Sequence, residues 1–321
     1  MFPESDRNDT RFVIPVESNG IGHDAVWNDD FHHALHVLLT SEQDGYYQDF
    51  QGIEDLAKSF SEGFVYSGQY SKFRHRRHGN SSKGIPCKRF VVFAQNHDQI
   101  GNRRSGDRLA QSLSLDQSKL AAGVLLLSLY LPMLFMGEEH GEPAPSQYFV
   151  SRGDSDLIEA VRRGRKEEFA RFDWQGEVPD PQSEETFLNS KLDWGLRLNG
   201  NHRLLWQFHQ ELLRLRRAVP ALARLDRNAT QVECRTGENS LLVTRGTEPG
   251  RVFCLFRAGL STAELAIGFP SGRWRKLLDS ADPKWAGQRS KVPDFLVSTG
   301  EVQLGPRGWS VVVFAEIATG D

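Results

Sequence analysis

Three apolar runs of the chain are each followed at once by polar residues that can do chemistry. The polar segments are WNDD at 27–30, NHDQ at 96–99 and GEE at 137–139. Taken alone, Asp98 would more often be a turn residue or a helix cap. It follows a strand-like run, however, and beside it stands His97, a neutral donor suited to hydroxyl groups. This setting favours a polar binding site at the ends of the apolar runs.

The elements that must position these residues alternate between strand-like and helical patterns. Strand-like runs are RFVIPV at 11–16, DAVW at 24–27, RFVVF at 89–93 and PMLFMG at 132–137, and helical patterns follow at 29–40 and 116–130. In the first helix Phe31, Leu35, Leu38 and Leu39 share one face, and Asn28 or Asp29 can cap its start. Such alternation predicts an α/β fold with a parallel sheet between helices. Its functional residues are expected at the carboxyl ends of the strands.

The character of the chain changes after an amphipathic helix predicted at 201–222. From about residue 229, short β-rich runs alternate with Gly, Pro, Asn and Asp turns, at the spacing expected of an antiparallel sandwich. We therefore predict a boundary near residues 222–228. Residues 1–222 would form the α/β domain, and residues 223–321 a β-sandwich domain.

Composition and charge exclude several classes of protein. A formal charge of −3 gives no electrostatic case for nucleic acid or an anionic membrane as the main partner. Pro132 interrupts the apolar run at 120–137, which favours a buried helix and strand over a membrane span. The basic stretch at 72–84 is interpreted as a solvated loop. Three cysteines without CxxC spacing, and an amino terminus without a signal-peptide core, favour a reducing, cytoplasmic setting.

Four motifs, taken together and in order, resemble glycoside hydrolase family 13, the α-amylase family, and within it the malto-oligosyltrehalose trehalohydrolases. FVVFAQNHDQIGNRRSGDR at 90–108 is similar to the segment of the seventh barrel strand, and PMLFMGEEHGE at 132–142 to that of the eighth. GIGHDAVWNDDFHHALHVLLTSEQDGYYQDF at 20–50 looks like the sixth strand with its helix, and PESDRND at 3–9 like the fifth. The resemblance covers nearly the whole chain. It implies the second half of a (β/α)8 TIM barrel, strands 5 to 8, followed by an antiparallel β-sandwich.

The resemblance assigns two carboxylates to roles in retaining glycoside hydrolysis. Glu4 is similar to the general acid/base that protonates the leaving oxygen, and Asp98 to a third carboxylate that stabilises the oxocarbenium-like transition state. The family's nucleophile is an aspartate in a G-x-R-x-D-A pattern that precedes the acid. Asp24 is the nearest look-alike, but Gly22 stands at the arginine position and Asp24 follows Glu4. The resemblance therefore implies that the nucleophile is absent from this sequence.

Further residues of the motifs are predicted to bind the substrate. They are Asn8, Trp27, Asn28, Asp29, Asp30, Phe31, His32, His33, His97, Gln99, Ile100, Gly101, Asn102, Glu138 and Glu139. For Trp27 and Phe31, packing in the core is an equally good interpretation. Of the adjacent pair Glu138 and Glu139, one is expected to face the cleft.

The resemblance implies hydrolysis of the α-1,4-glucosidic bond next to a terminal trehalose unit. The substrate would be maltooligosyl trehalose or an α-1,4-glucan oligosaccharide, a missing amino-terminal half would be the partner, and the chain alone is expected to be inactive. No cofactor and no metal are expected, because the HxxxH spacing of His32 and His36 lacks the glutamate of HExxH. Two alternatives stay open: a glucan branching enzyme or related transferase of the same family, and a non-catalytic glucan-binding remnant.

Overall fold

The computed structural model describes residues 1–103, 105–169 and 178–317. They form two compact units. The first contains residues 1–94, 114–133 and the chain from 207 onward, and the second contains residues 95–113 and 134–206. The first unit thus includes residues on both sides of the predicted boundary near 222–228, which stays a prediction.

The strands and helices have the following bounds. The strands are β1 (Val26–Trp27), β2 (Ser67–Ser71), β3 (Arg76–Gly79), β4 (Phe90–Val92), β5 (Leu131–Pro132), β6 (Thr230–Arg235), β7 (Ser240–Arg245), β8 (Val252–Arg257), β9 (Leu265–Gly268), β10 (Gly272–Asp279), β11 (Phe295–Ser298), β12 (Glu301–Leu304) and β13 (Ser310–Glu316). The α-helices are α1 (Asp29–Thr40), α2 (Ile53–Glu62), α3 (His97–Gly101), α4 (Leu109–Ser112), α5 (Leu115–Leu126), α6 (Ser155–Phe169), α7 (Glu184–Asn189), α8 (Gly200–Ala218) and α9 (Pro220–Ala223). Of the helices within the described ranges, none has both the length and the hydropathy that crossing a bilayer would need.

A small parallel sheet lies in the first unit, in the order β1-β4-β5. Val26 is in register with Phe90, and Val91 with Leu131. The first residues of the chain run beside β1, because Asp24 N donates to Met1 O at 3.1 Å and Trp27 N donates to Pro3 O at 3.2 Å. The parallel pairing predicted from the β-then-α alternation is therefore confirmed.

Helix α1 covers this sheet with the apolar face that its sequence predicts. Phe31, Leu35, Leu38 and Leu39 are all buried. The ring of Phe31 stacks 5.8 Å from that of Phe60 in α2. The first turn of α1 carries Asp29 and Asp30, and negative charge there interacts favourably with the positive end of the helix dipole. Because apolar residues recur every three or four positions, burial of one face fixes the helix against its neighbours.

One predicted strand is wrong, and another has different bounds. RFVIPV is not a strand, and residues 10–12 and 16–18 form short 3-10 helices. The Asp9 carboxylate accepts a hydrogen bond from Arg11 N and so starts the first turn, while Pro15 lacks an N–H for a strand ladder. The strand predicted at PMLFMG is shorter and begins one residue earlier, because β5 consists of Leu131–Pro132 and the last bond to β4 is from Met133 N to Val92 O at 2.8 Å.

The carboxyl-terminal strands are antiparallel, as their sequence predicts. Six form a sheet in the order β11-β10-β13-β8-β7-β6, and β9 pairs with β12 separately. Side chains of both sheets share one apolar core, whose buried members are Leu242, Phe253, Leu255, Leu265, Ile267, Phe269, Trp274, Val292, Leu304, Val312 and Phe314. Two sheets that bury their inner faces against each other are the basis of a sandwich.

Helix α5 packs directly on β13 of the six-stranded sheet. At Gly123 an added Cβ would lie 2.5 Å from Cγ2 of Val311, so the helix approaches the strand closely there. One helical turn away, the fully buried Lys119 donates from Nζ to Ser280 O at 2.7 Å and to Trp285 O at 3.0 Å. Its charge is balanced by Asp116 at 2.7 Å. A lysine therefore links α5 to the chain that follows β10.

Replacement of Lys119 by methionine is expected to lower the free energy of unfolding by about 2–4 kcal/mol. The apolar stem stays in place, but two buried carbonyl oxygens lose their donor and Asp116 loses its partner. Urea denaturation of the purified chain measures the effect. The control is Lys88→Met on an exposed lysine, expected to cost under about 0.5 kcal/mol. Equal effects in both variants would contradict a role for this link.

Candidate active site

Glu4 follows the segment that is hydrogen-bonded along β1. The bond from Trp27 N to Pro3 O places Glu4 level with Asn28, the first residue after β1. Its side chain is exposed. Pro3 lacks a backbone N–H, yet the pairing here uses its carbonyl, so proline fits this edge position. The predicted acid therefore stands at the carboxyl edge of the parallel sheet in the first unit, where such sheets usually carry function.

Asn8 and Asp30 brace the segment that follows Glu4. The Oδ2 atom of Asp30 accepts hydrogen bonds from Asn8 Nδ2 at 2.6 Å, Val65 N at 2.7 Å and Tyr66 N at 2.8 Å. Burial raises the pKa of Asp30 to about 6. Both side chains are internal, and their predicted part in substrate binding stays a prediction. What the geometry gives them is a positioning role, since they fix the loop after Glu4 to the start of α1.

The predicted histidines are brought together on the buried face of α1. His32 contacts Ala94 O through Nδ1 at 2.6 Å and Tyr47 Oη through Nε2 at 2.9 Å. Because a carbonyl only accepts, Nδ1 carries the proton and Nε2 accepts from the tyrosine. Burial holds the pKa of His33 well below its usual range, and its ring lies against Tyr46 and Phe50. His32 thus fixes the end of the β4 segment.

The remaining predicted residues of the first unit lie at the start of α1. Asn28 is fully buried and donates from Nδ2 to Gly63 O at 3.0 Å, rather than capping the helix with its side chain. Trp27 is half-buried, with its ring 5.6 Å from Phe93 in an edge-to-face arrangement. Phe31 is fully buried in the core, and Asp29 is half-buried in the first helical turn.

In the second unit a capping box presents His97 and Asp98. The Oδ1 atom of Asn96 accepts from Asp98 N at 2.8 Å and Gln99 N at 3.4 Å, while Gln99 Oε1 accepts from Asn96 N at 3.1 Å. Gln99 and Ile100 are buried, and His97 and Asp98 are exposed, with 3.6 Å between His97 Nε2 and Asp98 Oδ1. The N-x-x-Q spacing is a readable capping signal that the sequence analysis missed.

The far end of this short helix is held by Arg165. Its Nη1 donates to Asn102 Oδ1 at 3.3 Å, and its Nη2 donates to Gly101 O. Its guanidinium also lies 5.0 Å from the ring centre of Tyr148. The predicted residues Gly101 and Asn102 are therefore fixed by a cation on α6, and no sequence signal connects that arginine to them.

The adjacent acids Glu138 and Glu139 point in different directions after the left-handed turn at Gly137. Glu139 turns back, and its Oε2 accepts from Gly137 N at 2.9 Å. Burial raises the pKa of Glu138 to about 8, although a hydrogen bond from the Gln95 side chain opposes that shift. Its Oε2 atom is inaccessible to solvent and has no hydrogen-bond partner among the described residues. Glu138 is therefore the inward-facing member of the pair.

Arg108 and Glu142, which the sequence analysis did not single out, hold the loops of the second unit. Arg108 is buried and donates to Met136 O at 2.7 Å and Ala144 O at 2.6 Å. Glu142 is buried and accepts from Ala144 N at 2.8 Å and Asp193 N at 2.8 Å. Charged residues that satisfy backbone groups inside a loop follow no periodic pattern, so the sequence offered no signal for them.

The parallel strands, their polar ends and the antiparallel domain that follows are features of an α-amylase-type glycosidase. The solved structures agree. A candidate α-amylase from Salmonella typhimurium is 33% identical, with a TM-score of 0.78 over 98% of this chain and 51% of that chain. The α-amylase of H. orenii, 13% identical with a TM-score of 0.52 over 98% of this chain and 53% of its own, shares the fold. No family model matches the chain.

Among curated proteins the chain is similar to malto-oligosyltrehalose trehalohydrolases. It is 47% identical over 237 residues to that of Rhizobium sp. (strain M-11), covering 73% of this chain and 40% of the relative. It is 45% identical over 217 residues to that of Saccharolobus solfataricus, covering 68% of this chain and 37% of the relative. The family resemblance read from the motifs is therefore confirmed. The chain spans less than half the length of these relatives.

Proposed function

We propose that this chain is the carboxyl-terminal part of a retaining glycosidase that hydrolyses the α-1,4-glucosidic bond next to a terminal trehalose unit. The observation that carries the proposal is the 47% identity over 237 residues to a malto-oligosyltrehalose trehalohydrolase. Its substrate would be maltooligosyl trehalose or a related α-1,4-glucan oligosaccharide. The three cysteines are not joined in disulfides, which fits the reducing, cytoplasmic setting proposed for it.

In this proposal Glu4 is the general acid/base and Asp98 is the third carboxylate. Glu4 would protonate the leaving glycosidic oxygen, and Asp98 would bind ring hydroxyls and stabilise positive charge at C1. Their exposure supports these roles, because both must reach a substrate. His97, presented on the same capped turn as Asp98, would donate to a sugar hydroxyl. Glu138 would be the inward acid of the last motif.

Retaining hydrolysis also needs a nucleophilic carboxylate about 5–5.5 Å from the acid. No aspartate of this sequence stands in the family's G-x-R-x-D-A nucleophile pattern. Asp24, the nearest look-alike, is exposed and forms an ion pair with the amino group of Met1. We therefore propose that the chain turns over substrate only when another segment supplies the nucleophile.

In the proposed arrangement, strands 5, 6, 7 and 8 of a (β/α)8 barrel correspond to residues 1–3, β1, β4 and β5, in that order. Within the described residues β5 is hydrogen-bonded to β4 alone, so its other edge offers backbone groups to a further strand. A segment carrying strands 1 to 4 would pair there and close the barrel. Under this proposal the sandwich begins near residues 222–228.

Complementation tests the proposal. The chain is co-expressed with the first half of the Rhizobium trehalohydrolase, up to and including its nucleophile strand, and the product released from maltooligosyl trehalose is identified. We expect trehalose from the pair and none from the chain alone. Trehalose from the chain alone would overturn the need for a second segment. New branch points in a glucan would favour a branching enzyme, and maltooligosaccharide affinity without turnover by the pair would favour a binding remnant.

A further inference from the structure

An open cleft of about 440 Å³ lies in the first unit, between the loop after Glu4 and the β2–β3 hairpin. It is lined by Arg7, Asn8, Asp9, Arg76, Arg77, His78, Gly79 and Asn80. None of the motif residues to which the resemblance gives a catalytic role lines it. Apart from Gly79 its lining residues have polar side chains, and three of them are arginines.

The walls of the cleft are rigidly joined at its base. His78 Nε2 lies 2.8 Å from Asp6 O, and Asn80 N donates to Asn8 O at 3.0 Å. Gly79, at φ +71°, passes so close to Tyr66 that an added Cβ would lie 2.3 Å from its carbonyl oxygen. The loop and the hairpin are thus held in a fixed relation, and a ligand would find the site already formed.

The acid within the lining is already neutralised. Asp9 accepts from Arg11 Nε at 2.9 and 3.1 Å and from Arg11 N at 3.0 Å. These bonds to Arg11 hold the pKa of Asp9 below its usual range, so it stays a paired carboxylate. The neighbouring Asp6 is paired with Arg74 at 3.0 Å, and neither residue is among those that line the cleft.

The arginines of the lining keep donors available. Arg77 donates from Nη1 to Gly68 O at 3.1 Å, which uses one of its N–H groups. The guanidinium groups of Arg7 and Arg76 form no hydrogen bond or ion pair with other residues that the structure describes. Burial lowers the pKa of His78, which disfavours a positive charge on this histidine. The cleft therefore has an excess of positive charge carried by forked donors.

We propose that this cleft binds an oxyanion of the phosphate type, either free phosphate or the phosphate group of a phosphorylated sugar. Planar guanidinium groups match the geometry of phosphate oxygens and bind them through paired, charge-assisted hydrogen bonds. A neutral glucan would leave these charges unpaired. The inference goes beyond the proposed glycosidase function and does not depend on it, because neither of the proposed catalytic carboxylates, Glu4 and Asp98, lines the cleft.

The test is titration calorimetry on the full chain with inorganic phosphate, with glucose 6-phosphate and with glucose. We expect one phosphate site per chain, weakened about tenfold or more in the double variant Arg7→Leu/Arg76→Gln. The matched control is Arg273→Leu/Arg275→Gln, which removes two exposed arginines of β10 and is expected to leave binding unchanged. Equal affinities for phosphate and glucose 6-phosphate assign the site to the free anion, and tighter binding of glucose 6-phosphate assigns it to a sugar phosphate.

Three results would overturn the proposal. The first is the absence of phosphate binding to the unaltered chain at millimolar concentration. The second is an equal loss in the cleft variant and in the β10 control, which would mark diffuse electrostatic attraction. The third is loss of affinity for neutral trehalose or maltotriose in the cleft variant with phosphate binding intact, which would make the cleft a neutral-sugar site. Near-ultraviolet circular dichroism of Arg7→Leu/Arg76→Gln, compared with the unaltered chain, separates lost binding from lost folding.

Discussion

Replacement of Glu4 by glutamine is expected to lower trehalose release by at least about 10²-fold once the chain is complemented by a segment with a nucleophile. Glutamine has almost the same shape, but it cannot give a proton to the leaving oxygen or take one from water. Its position beside β1 is held by the backbone bonds of Asp24 and Trp27, which the substitution leaves in place. The measurement is kcat for trehalose release from maltooligosyl trehalose.

Asp6→Asn is the matched control for this experiment. It removes another exposed carboxylate two residues away, whose partner is Arg74. We expect it to leave kcat within about twofold, since exposed ion pairs contribute little. If Glu4→Gln retained full activity while the complemented enzyme was otherwise competent, the assignment of Glu4 as the acid would be wrong.

A second large effect is expected at Glu138, in the dependence of stability on pH. Burial raises the pKa of Glu138 from an ordinary 4.5 to about 8, so between these values the folded state binds the proton and the unfolded state releases it. The free energy of unfolding should therefore fall as the pH rises from about 4.5 to about 8. The loss contributed by this one group is at most about 5 kcal/mol, since one pKa unit corresponds to about 1.4 kcal/mol.

Glu138→Gln should remove this part of the pH dependence, because the amide stays neutral in both states. Urea denaturation at pH 5, 6.5 and 8 measures the slope in each protein. The control is Glu185→Gln, which removes an exposed carboxylate of the same unit. A slope that is the same in Glu138→Gln as in the unaltered chain would contradict a buried, proton-binding carboxyl.

The parallel sheet and its covering helix could be predicted because local pattern and burial agree there. In α1 the apolar residues Phe31, Leu35 and Leu38 recur at helical spacing, and all are buried. The strand predicted at RFVIPV is wrong because apolar content alone does not distinguish a strand from successive turns. The side chain of Asp9 caps the first 3-10 turn, and Pro15 has no backbone N–H to donate to a neighbouring strand.

The sequence singles out candidate residues, but the contacts of their side chains could not be predicted from it. Asp30 Oδ2 accepts hydrogen bonds from the backbone N–H groups of residues 65 and 66, which are distant in sequence, and its part in substrate binding stays a prediction. Which of Glu138 and Glu139 faces inward depends on the left-handed turn at Gly137. The directions of the two side chains that follow such a turn cannot be predicted from the sequence. Long-range backbone contacts, invisible in a local pattern, carry this information.

The close approach of α5 to β13 at Gly123 limits how this protein can be engineered. Alanine in place of a helical glycine is a standard choice in thermostability libraries. It commonly raises the free energy of unfolding by about 0.4–1 kcal/mol, because it reduces the conformational entropy of the unfolded chain. Here the new methyl group would collide with Val311, so the helix would have to move off the sheet. Library design should therefore hold position 123 fixed.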